Sequence, residues 1–302
     1  MTKGLIVLGT VGLDTIRVPN GVRRDILGGS AAHCAMSASL FTTVHLAAVV
    51  GSDFPDAHVR FLRRRGVNLT SLQVTPGCTF RWEGEYKPHD LNTACTLNTQ
   101  LGVIDGCIPK LSPQQRAIRH ILLANYDPDV QAEVLGQMEK PTLVGLDTMN
   151  LWIDIKQASL LRLIKKAHIL FMNDAEARAL SGEKNLMAAA ERLTRLGPRI
   201  VIVKKGEHGS LLLFQNDFFV LPAFPVRRVL DPTGAGDTFA GGVMGYLNCC
   251  RKVTPRNLQR ALAYGTLCAS VNVEGFGMDR SSRVTRTAIE QRLRRFGSMC
   301  RL

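Results

Sequence analysis

The chain has 302 residues, of which 45% are hydrophobic and 21% are charged. This composition excludes a disordered, collagen-like or coiled-coil protein, because the apolar content suffices for a packed core and the charged fraction is ordinary. At roughly 150 residues per domain, the length allows two domains or one large α/β domain. No run approaches the ~18 consecutive apolar residues that a membrane helix needs.

The net charge is +13, from 38 Lys and Arg against 25 Asp and Glu. Such an excess occurs in proteins that bind nucleic acid, a membrane surface or an anionic small molecule. Here the basic residues are spread along the chain in short groups, without an aromatic-basic RNA signature or a zinc-finger spacing. We therefore expect no nucleic-acid partner and no membrane partner, and we interpret the basic residues as solvated faces.

The N-terminal apolar stretch and the cysteines indicate where the protein works. The stretch that starts at Leu5 runs into Asp14 and Arg17 without a small-residue cleavage site, so we interpret it as a buried strand and not as a signal peptide. The 8 cysteines include no Cys-x-x-Cys pair. We expect reduced thiols in a cytoplasmic protein.

Apolar runs of strand length alternate with helical patterns along most of the chain, which predicts a mostly parallel sheet covered by helices on both faces. The predicted strands are Leu5–Val11, Val44–Val50, His120–Leu123, Thr142–Leu146, His168–Met172 and Arg199–Val203. The predicted helices between them are Ala31–Phe41, Pro55–Arg65, Asp129–Met138, Lys156–Lys166, Asp174–Leu180 and Asn185–Leu196. After residue 225 the pattern predicts helices at Ala235–Leu247, Pro255–Val271 and Thr285–Phe296.

One segment has a different period. Between Thr79 and Tyr86, aromatic residues occupy one parity and charged residues mostly the other, which is typical of a strand with one apolar face and one wet face. With a second polar strand around Ala94–Gln100 and the segment Ile16–Leu27, it predicts a small sheet that projects from the main domain. A surface hairpin without function is the alternative. No linker or repeat divides the chain, so we expect one domain, 1–302.

The most informative motif is DPTGAGD at residues 231–237. Its glycines allow a ligand to approach the backbone closely, and the helix that begins there offers free N–H groups and a positive dipole end to an anion such as phosphate. Asp237, in the first turn, is placed to take a proton from a hydroxyl that attacks a phosphoryl group. The alternative is a glycine-rich turn in which Asp237 only complements the helix dipole.

The same motif resembles the second signature of the ribokinase (PfkB) family of carbohydrate and nucleoside kinases, D-T-x-G-A-G-D, with Pro232 in the second position. The resemblance implies that Asp237 is the catalytic base and that Gly234, Ala235 and Gly236 form the anion hole for the transferring phosphate. It adds Thr233 to the phosphate-binding residues, and it makes Asp231 a candidate ligand of a monovalent cation, K⁺.

The family's first signature, G-G-N-x-x-N, is similar to Gly28-Gly29-Ser30-Ala31-Ala32-His33, where Ser30 and His33 replace asparagines. The resemblance implies that Gly28, Gly29, Ser30 and His33 shape the substrate pocket. Asp14 follows the first apolar run, and a carboxylate there suits two neighbouring hydroxyls of a sugar, the role that the family assigns to an Asp at this location. The alternatives are a structural histidine and an Asp that turns the chain.

Two further motifs follow predicted strands. Asn173 and Glu176 match the family's N-x-x-E, which implies a magnesium and phosphate environment with Glu176 acting through water, although the spacing also describes a helix capping box. Lys204, Gly206 and Gly209 resemble the nucleotide loop T-x-G-x-x-G, with Lys204 where threonine is usual. Asp147 and Asn150 end another strand on the expected ligand side and are weaker candidates.

Other chemistries lack their motifs. The chain contains no P-loop, no H-E-x-x-H, no G-x-S-x-G and no G-x-G-x-x-G after the first strand. These absences argue against a P-loop NTPase, a zinc protease, an α/β-hydrolase and a dinucleotide dehydrogenase.

The resemblance extends from Leu5 to about Gly277. It implies a ribokinase-like three-layer α/β sandwich with a β-lid formed by residues 16–27 and 79–100, and a kinase that uses ATP and Mg²⁺. The expected reaction is phosphorylation of a hydroxymethyl group on a sugar or sugar-like molecule. The alternatives are a nucleoside kinase and a non-catalytic protein that binds a sugar or nucleotide. A homodimer formed through the lids is a family arrangement that this sequence leaves open.

Overall fold

The computed structural model describes residues 4–300, which form thirteen strands and eleven α-helices. The strands are β1 (Leu5–Leu8), β2 (Gly12–Val18), β3 (Gly21–Gly28), β4 (Val44–Gly51), β5 (Val67–Thr75), β6 (Phe80–Lys87), β7 (Asp90–Gln100), β8 (His120–Leu123), β9 (Leu143–Asp147), β10 (Ile169–Asn173), β11 (Ile200–Lys204), β12 (Ser210–Phe214) and β13 (Asp217–Leu221). The helices are α1 (Ser30–Ala38), α2 (Asp56–Arg64), α3 (Pro113–Arg116), α4 (Pro128–Gly136), α5 (Asn150–Ile155), α6 (Gln157–Ile164), α7 (Asp174–Ser181), α8 (Leu186–Thr194), α9 (Ala235–Cys249), α10 (Pro255–Asn272) and α11 (Arg286–Met299).

The large sheet has nine strands in the order β13-β12-β11-β10-β9-β8-β1-β4-β5. All neighbours are parallel except that β12 runs antiparallel to β11 and β13. The sheet is buried on both faces: in β1, Leu5 and Val7 belong to one core, whereas Ile6 and Leu8 belong to the other. This alternation explains why the strands read as continuous apolar runs.

Each face of the large sheet is covered by its own helices. Core residues of α1, α2, α9 and α10 pack on one face, and those of α4, α6, α7 and α8 pack on the other. Each parallel strand is followed by a return of the chain to the opposite edge, so the carboxyl ends of the strands collect at one edge.

Helices α1 and α9 pack so closely that only glycine fits at their points of contact. A Cβ at Gly245 would lie 2.7 Å from the Ala38 Cα, and one at Gly241 would overlap the Cys34 carbonyl. The backbones therefore approach as closely as only glycine permits. This contact brings the N-termini of both helices to the carboxyl edge of the sheet.

The small sheet has four strands in the order β3-β2-β6-β7, with β2 and β6 parallel and the other pairs antiparallel. Ile16, Val18 and Tyr86 form an apolar cluster on one of its faces, with Trp82 and Phe276 packed against them. The alternating pattern of the sequence thus predicted the wet and apolar faces of β6 correctly.

The carboxyl end of the first strand was predicted wrongly. β1 stops at Leu8, and Gly12–Val18 belongs to the small sheet, so Asp14 lies inside β2 and does not end β1. The apolar run continues across the change of sheet because both strands are buried, and hydrophobicity alone cannot separate them. The small sheet also begins earlier than expected, at Gly12.

Other differences concern edges and short elements. β5 was not predicted, because it is the edge strand of the large sheet and carries polar residues between partly buried ones. The short helices α3 and α5 were also missed. The remaining predicted elements occur within a few residues of their expected bounds.

Two structural facts concern the whole described chain. Among residues 4–300, no helix is both long enough and apolar enough to cross a membrane. All eight cysteines lie in this range, and none of them forms a disulfide.

Candidate active site

The candidate residues meet at the carboxyl edge of the large sheet. Asp147 ends β9, Asn173 ends β10 and Lys204 ends β11, and α9 begins next to them at Ala235. In parallel α/β sheets, ligands bind in the crevice outside the carboxyl ends of the strands. The sequence motifs that lie far apart in the chain therefore share one crevice.

The N-terminus of α9 has the form of an anion site. Gly234 precedes the helix with φ of 69°, and no side chain of the described residues caps the helix. The Ala235 amide donates to the Pro232 carbonyl at 3.1 Å, whereas in the described chain the amides of Gly234 and Gly236 have no hydrogen-bond partner. Two free amides and the positive end of the helix dipole suit a phosphate oxygen.

Asp237 lies in the first turn of α9, beside these amides. Burial raises the pKa of its carboxyl to about 7, the negative charge of Asp147 adds to the shift, and the charge of Lys204 opposes it. A carboxylate whose pKa lies near neutrality is suited to accept a proton at physiological pH.

Lys204 and Asp147 form a buried ion pair. The Lys204 Nζ lies 2.6 and 2.9 Å from the two Asp147 carboxylate oxygens, and the Asp147 side chain is 2% exposed. Burial alone lowers the pKa of Lys204, but the charges of Asp147 and Glu176 more than offset it, so the pKa is raised and the ammonium stays protonated.

The ammonium of Lys204 also reaches the anion site. A Cβ built on Gly236 would lie 3.3 Å from the Lys204 Nζ, so the ammonium faces the first turn of α9. A fixed positive charge therefore stands beside the free amides. The prediction that Lys204 lies near the phosphates is in keeping with this position.

Asn173 and Glu176 form a capping box at the start of α7. The Asn173 amide donates to Glu176 Oε2 at 2.7 Å, and the Glu176 amide donates to Asn173 Oδ1 at 2.8 Å. Burial raises the pKa of Glu176 to about 7, Lys204 opposes the shift and Asp147 adds to it. The cap is therefore formed, and the same carboxylate interacts electrostatically with the Lys204–Asp147 pair.

Asp14 is a buried carboxylate with an unused oxygen. It is 3% exposed, and its Oδ1 has no hydrogen-bond partner among residues 4–300. Burial raises its pKa to about 7, the Gly29 amide opposes the shift, and the charges of Asp231 and Asp237 add to it. A Cβ at Gly28 would overlap the Asp14 carboxylate, which explains the glycine at that position.

Ser30 is occupied by protein contacts. Its hydroxyl accepts from the Thr10 amide at 3.1 Å and donates to the Asn125 carbonyl at 2.8 Å, and its own amide donates to Thr10 Oγ1 at 3.0 Å. These bonds join the ends of β1 and β8 to the start of α1. They favour a positioning role over the direct substrate contact that we expected for Ser30.

His33 packs beneath the anion site. Its ring is 2% exposed, and a Cβ at Gly234 would overlap it. Burial lowers the pKa of His33 to about 4, with Asn272 opposing the shift, so the ring is neutral. His33 therefore supports the Gly234 turn, and Asn272 contacts the same turn by donating to the Thr233 carbonyl at 2.8 Å.

Asp231 organises the loop that precedes α9. It accepts from the amides of Thr233 and Gly277, each at 2.8 Å. The Thr233 hydroxyl lies 3.3 Å from the Tyr86 hydroxyl of the small sheet. Asp231 is fully buried, and among the described residues no cationic side chain pairs with it. Its pKa is raised, chiefly by burial.

The two glycines of the Lys204 loop have different surroundings. Gly206, with φ of 54°, abuts the Asn92 side chain of β7, and Asn92 donates to Glu207 Oε1 at 3.2 Å. Gly209, with φ of 87°, faces Leu221 and Pro222 and shapes the return into β12. The small sheet thus touches the loop at Gly206, and Gly209 is a structural glycine in this structure.

Three contacts of the site were not predicted. The Tyr86 hydroxyl, the Asn272 amide and the Asn92 side chain each connect a distant segment to a predicted motif. Asn272 could have been noticed as an asparagine in an apolar helix. The pairing of Lys204 with Asp147 could not have been predicted from the sequence, because it depends on β9 and β11 flanking β10.

Asn150, a weaker candidate, is exposed at the start of α5.

The family model described as pfkB family carbohydrate kinase matches residues 14–284. The chain belongs to this family. It is a phosphotransferase with a hydroxyl acceptor, and its relatives act on sugars and nucleosides. One relative, the cytidine kinase of Thermococcus kodakarensis, is 30% identical over 250 residues, which cover 80% of this chain and 88% of that enzyme.

Solved structures confirm the expected ribokinase-like fold. The nucleoside kinase of Methanocaldococcus jannaschii, an archaeal member of the ribokinase family, superposes with a TM-score of 0.78 at 22% identity over 97% of this chain and 99% of that one. The aminoimidazole riboside kinase of Salmonella enterica, solved with its riboside and an ATP analog, gives 0.77 at 20% identity over 96% and 100%.

Gly28→Ala tests the position of Asp14. The added Cβ overlaps the carboxylate, so we expect the KM of the acceptor to rise by about tenfold or more, the worth of one charged hydrogen bond, while the KM of ATP changes little. Steady-state kinetics measure both constants. Gly136→Ala is the control, since a Cβ at that helical glycine meets nothing within 4 Å. Equal rises of both KM values would contradict the assignment.

Asp237→Asn tests the buried carboxylate in two ways. We expect turnover to fall at least about 100-fold. We also expect Tm to rise by a few degrees, because the pKa of Asp237 is raised when folded, so its charge costs stability. The gain should grow as pH rises from 4 to 7 and level off above 7.

Asp56→Asn is the control for the thermal measurement. Asp56 is an exposed acid in the first turn of α2, where its charge complements the helix dipole. Its loss should lower Tm slightly. A Tm for Asp237→Asn that falls at pH 8 would show that the carboxylate stabilises the fold and would refute the interpretation.

Lys204→Met tests the buried ion pair. The change leaves the Asp147 charge unpaired, and we expect a loss of about 3 kcal/mol in the free energy of unfolding by urea. Adding Asp147→Asn should recover most of that loss. Lys205→Met, at a neighbouring lysine without an ion pair in the described chain, should change the value by less than about 0.5 kcal/mol. Equal losses in both single variants would exclude a specific pair.

Proposed function

We propose that the protein is an ATP-dependent nucleoside kinase that phosphorylates the hydroxymethyl group of the ribose. A nucleoside acceptor is supported by one face of the small sheet. There Asp14 lies directly opposite Trp82 in the β2–β6 pairing. A carboxylate and an indole on the same face suit a molecule with vicinal hydroxyls at one end and a flat ring at the other.

Asp237 is the general base in this proposal. The attacking hydroxyl gives its proton to the Asp237 carboxylate as its oxygen bonds to the γ-phosphorus, and the bond from that phosphorus to the β-phosphate bridging oxygen breaks. The products are the phosphate monoester and ADP. The pKa of about 7 favours proton acceptance at neutral pH and loss of the proton after the step.

Lys204 and the free amides stabilise the charge that moves in this step. The amides of Gly234 and Gly236 donate to oxygens of the transferring group, with Ala235 holding the turn through its bond to Pro232. The Lys204 ammonium faces the same turn and is held there by Asp147. Donors that are oriented before the reaction need no rearrangement when charge develops.

The acid residues of the site fit the cations that such a kinase uses. Glu176 offers a hard carboxylate ligand near Asp147, and Mg²⁺ in such sites keeps several waters and binds through one or two carboxylates and the phosphates. When bound, Mg²⁺ neutralises the phosphate charge. Asp231, buried without a cationic partner in the described chain, fits a monovalent cation such as K⁺.

Asp14 holds the acceptor. Its Oδ1, unpaired in the described chain, accepts from a ribose hydroxyl, and Gly28 leaves room for the carboxylate. His33 supports the Gly234 turn from below. The similarity to the cytidine kinase, over 88% of its length, supports a nucleoside over a free sugar. Thr233 and Asn173 order the two loops that flank the phosphates.

The small sheet is a lid in this proposal. Tyr86 contacts Thr233 and Asn92 contacts Glu207, so the small sheet touches both sides of the crevice and excludes water, which otherwise competes as acceptor. Among the described strands, β7 pairs only with β6 and leaves an open edge, which is in keeping with a homodimer formed through the lids. The eight free cysteines are in keeping with a cytoplasmic site of action.

ADP release over a panel of acceptors tests the proposal. With cytidine, uridine, adenosine, inosine, ribose, deoxyribose and fructose, we expect at least one nucleoside to exceed ribose about 100-fold in kcat/KM. Phosphorus NMR should identify the product as the 5′-monophosphate. Turnover of free sugars alone would make the protein a sugar kinase, and tight binding without any turnover would make it a binding protein.

Trp82→Leu tests, in the same assay, whether Trp82 contributes to binding the base and not the ribose. Loss of the indole should lower kcat/KM for nucleosides by about tenfold, the worth of one aromatic stacking contact, and leave ribose turnover unchanged. Leu97→Ala, at an exposed residue of the neighbouring strand, is the control. A uniform fall for nucleosides and ribose would contradict a base-binding role of Trp82.

A further inference from the structure

The basic residues that are scattered in the sequence meet in the structure. In a parallel sheet, each turn that leads from a helix into a strand lies at the amino edge, opposite to the ligand crevice. Nine lysines and arginines occupy five turns at or next to this edge, and together we call them the basic edge. They are Arg116, Arg119, Lys140, Lys165, Lys166, Arg195, Arg199, Arg251 and Lys252.

The charges of the basic edge are exposed and unneutralised. All nine residues are exposed, and Glu139 is the one acidic residue in residues 116–119, 137–142, 165–168, 195–199 and 250–254. Within the described chain, none of the nine takes part in an ion pair. The lysine of the catalytic crevice, by contrast, is paired with a buried carboxylate.

The five turns form one continuous surface. The Glu139 amide donates to the Arg116 carbonyl at 3.0 Å, and the Thr142 amide donates to the Arg119 carbonyl at 2.7 Å. The His168 amide donates to the Val144 carbonyl at 2.8 Å, which joins the turn of Lys165 to β9 next to the turn of Lys140. A Cβ at Gly197 would lie 2.8 Å from the Lys165 Cα, so the turns of Lys165 and Arg195 are also in contact. Asn248, at the end of α9, lies 2.9 Å from the His120 ring and joins the turn of Arg251 to the same edge.

A groove lies between α4 and α6, next to the turn at 165–168. It has a volume of about 370 Å³, and its charged lining residues are Arg162, Lys165, Lys166 and the acidic Asp129, which pairs with Lys156. Single basic residues at helix C-termini are explained by the helix dipole. The groove has three cationic residues against one acidic residue, so the adjacent lysines beside it repel one another, and a bound polyanion removes that repulsion.

We propose that the basic edge binds the phosphate backbone of double-stranded nucleic acid. Stable attachment to a membrane surface combines basic charge with apolar anchors, and the exposed large apolar residues of the described chain lie outside these five turns. Single strands are held by aromatic stacking, and the five turns contain no Phe, Tyr or Trp. Phosphate contacts alone suffice for binding that ignores base sequence.

The size of the basic edge matches a duplex. From β8 to β11 the turns span three strand spacings, about 14 Å in all, which is close to the ~12 Å width of a major groove. Cations at this spacing face both phosphate rows. The proposal departs from our expectation of no nucleic-acid partner, because that expectation rested on the scatter of basic residues along the sequence.

Fluorescence anisotropy with a labelled 24-base-pair duplex of arbitrary sequence tests the proposal. We expect saturable binding at 50 mM salt, with log K falling linearly against log salt at a slope of about −4.5, for about five phosphates. The triple variant Lys165→Gln, Lys166→Gln and Arg199→Gln should weaken binding at least tenfold and flatten the slope by about 2 to 3. Kinase turnover should remain unchanged, because the edge lies opposite to the crevice.

The control variant carries the same change in net charge elsewhere. Lys184→Gln, Arg294→Gln and Arg295→Gln alter three exposed residues outside the basic edge and should keep both affinity and slope. Equal weakening in both triple variants would overturn the proposal in favour of a net-charge effect. Absence of duplex binding would also overturn it. Binding to vesicles of 30% phosphatidylserine in phosphatidylcholine, but not to the duplex, would assign the edge to a membrane instead.

Discussion

The close packing of α1 against α9 is the contact on which the rest of the site depends. Gly241 and Gly245 let the two helices approach until backbone meets backbone, and both helices then point their N-termini at the same crevice. One N-terminus carries Gly28 and Gly29 beside Asp14, and the other carries the free amides beside Asp237. The proposed acceptor and phosphate sites are thereby held at a fixed separation, which is what an in-line phosphoryl transfer requires.

The charges of the molecule are divided between the two edges of the large sheet. Five carboxylates meet at the carboxyl edge, and Lys204 is the one lysine or arginine among the predicted site residues there; the carboxylates are Asp14, Asp147, Glu176, Asp231 and Asp237. Burial raises the pKa of each. Such a crevice is suited to binding cations and to proton transfer. Burying these carboxylates together lowers the stability of the fold, as is common at functional sites. The nine exposed cations of the basic edge lie on the opposite side of the sheet, where they cannot relieve these carboxylates.

Local motifs were predictable because their chemistry lies within a few consecutive residues. The anion site needs only the glycines and the helix start at 234–237, and the capping box needs only Asn173 and Glu176, so both were expected from the sequence. The alternating pattern of β6 likewise predicted the small sheet. The end of β1 was predicted wrongly, because the buried strands β1 and β2 have the same apolar composition although they belong to different sheets.

The sequence by itself determined the family and the fold class and predicted the motifs of the candidate site, since each of these depends on short segments with their own physical signature. Tertiary structure decided what depends on strand order and helix packing. It paired Lys204 with Asp147 across β10, turned Ser30 towards Thr10 and Asn125, and set His33 beneath Gly234. It also gathered basic residues from five turns onto one edge, because a parallel sheet sends every helix-to-strand turn to the same side.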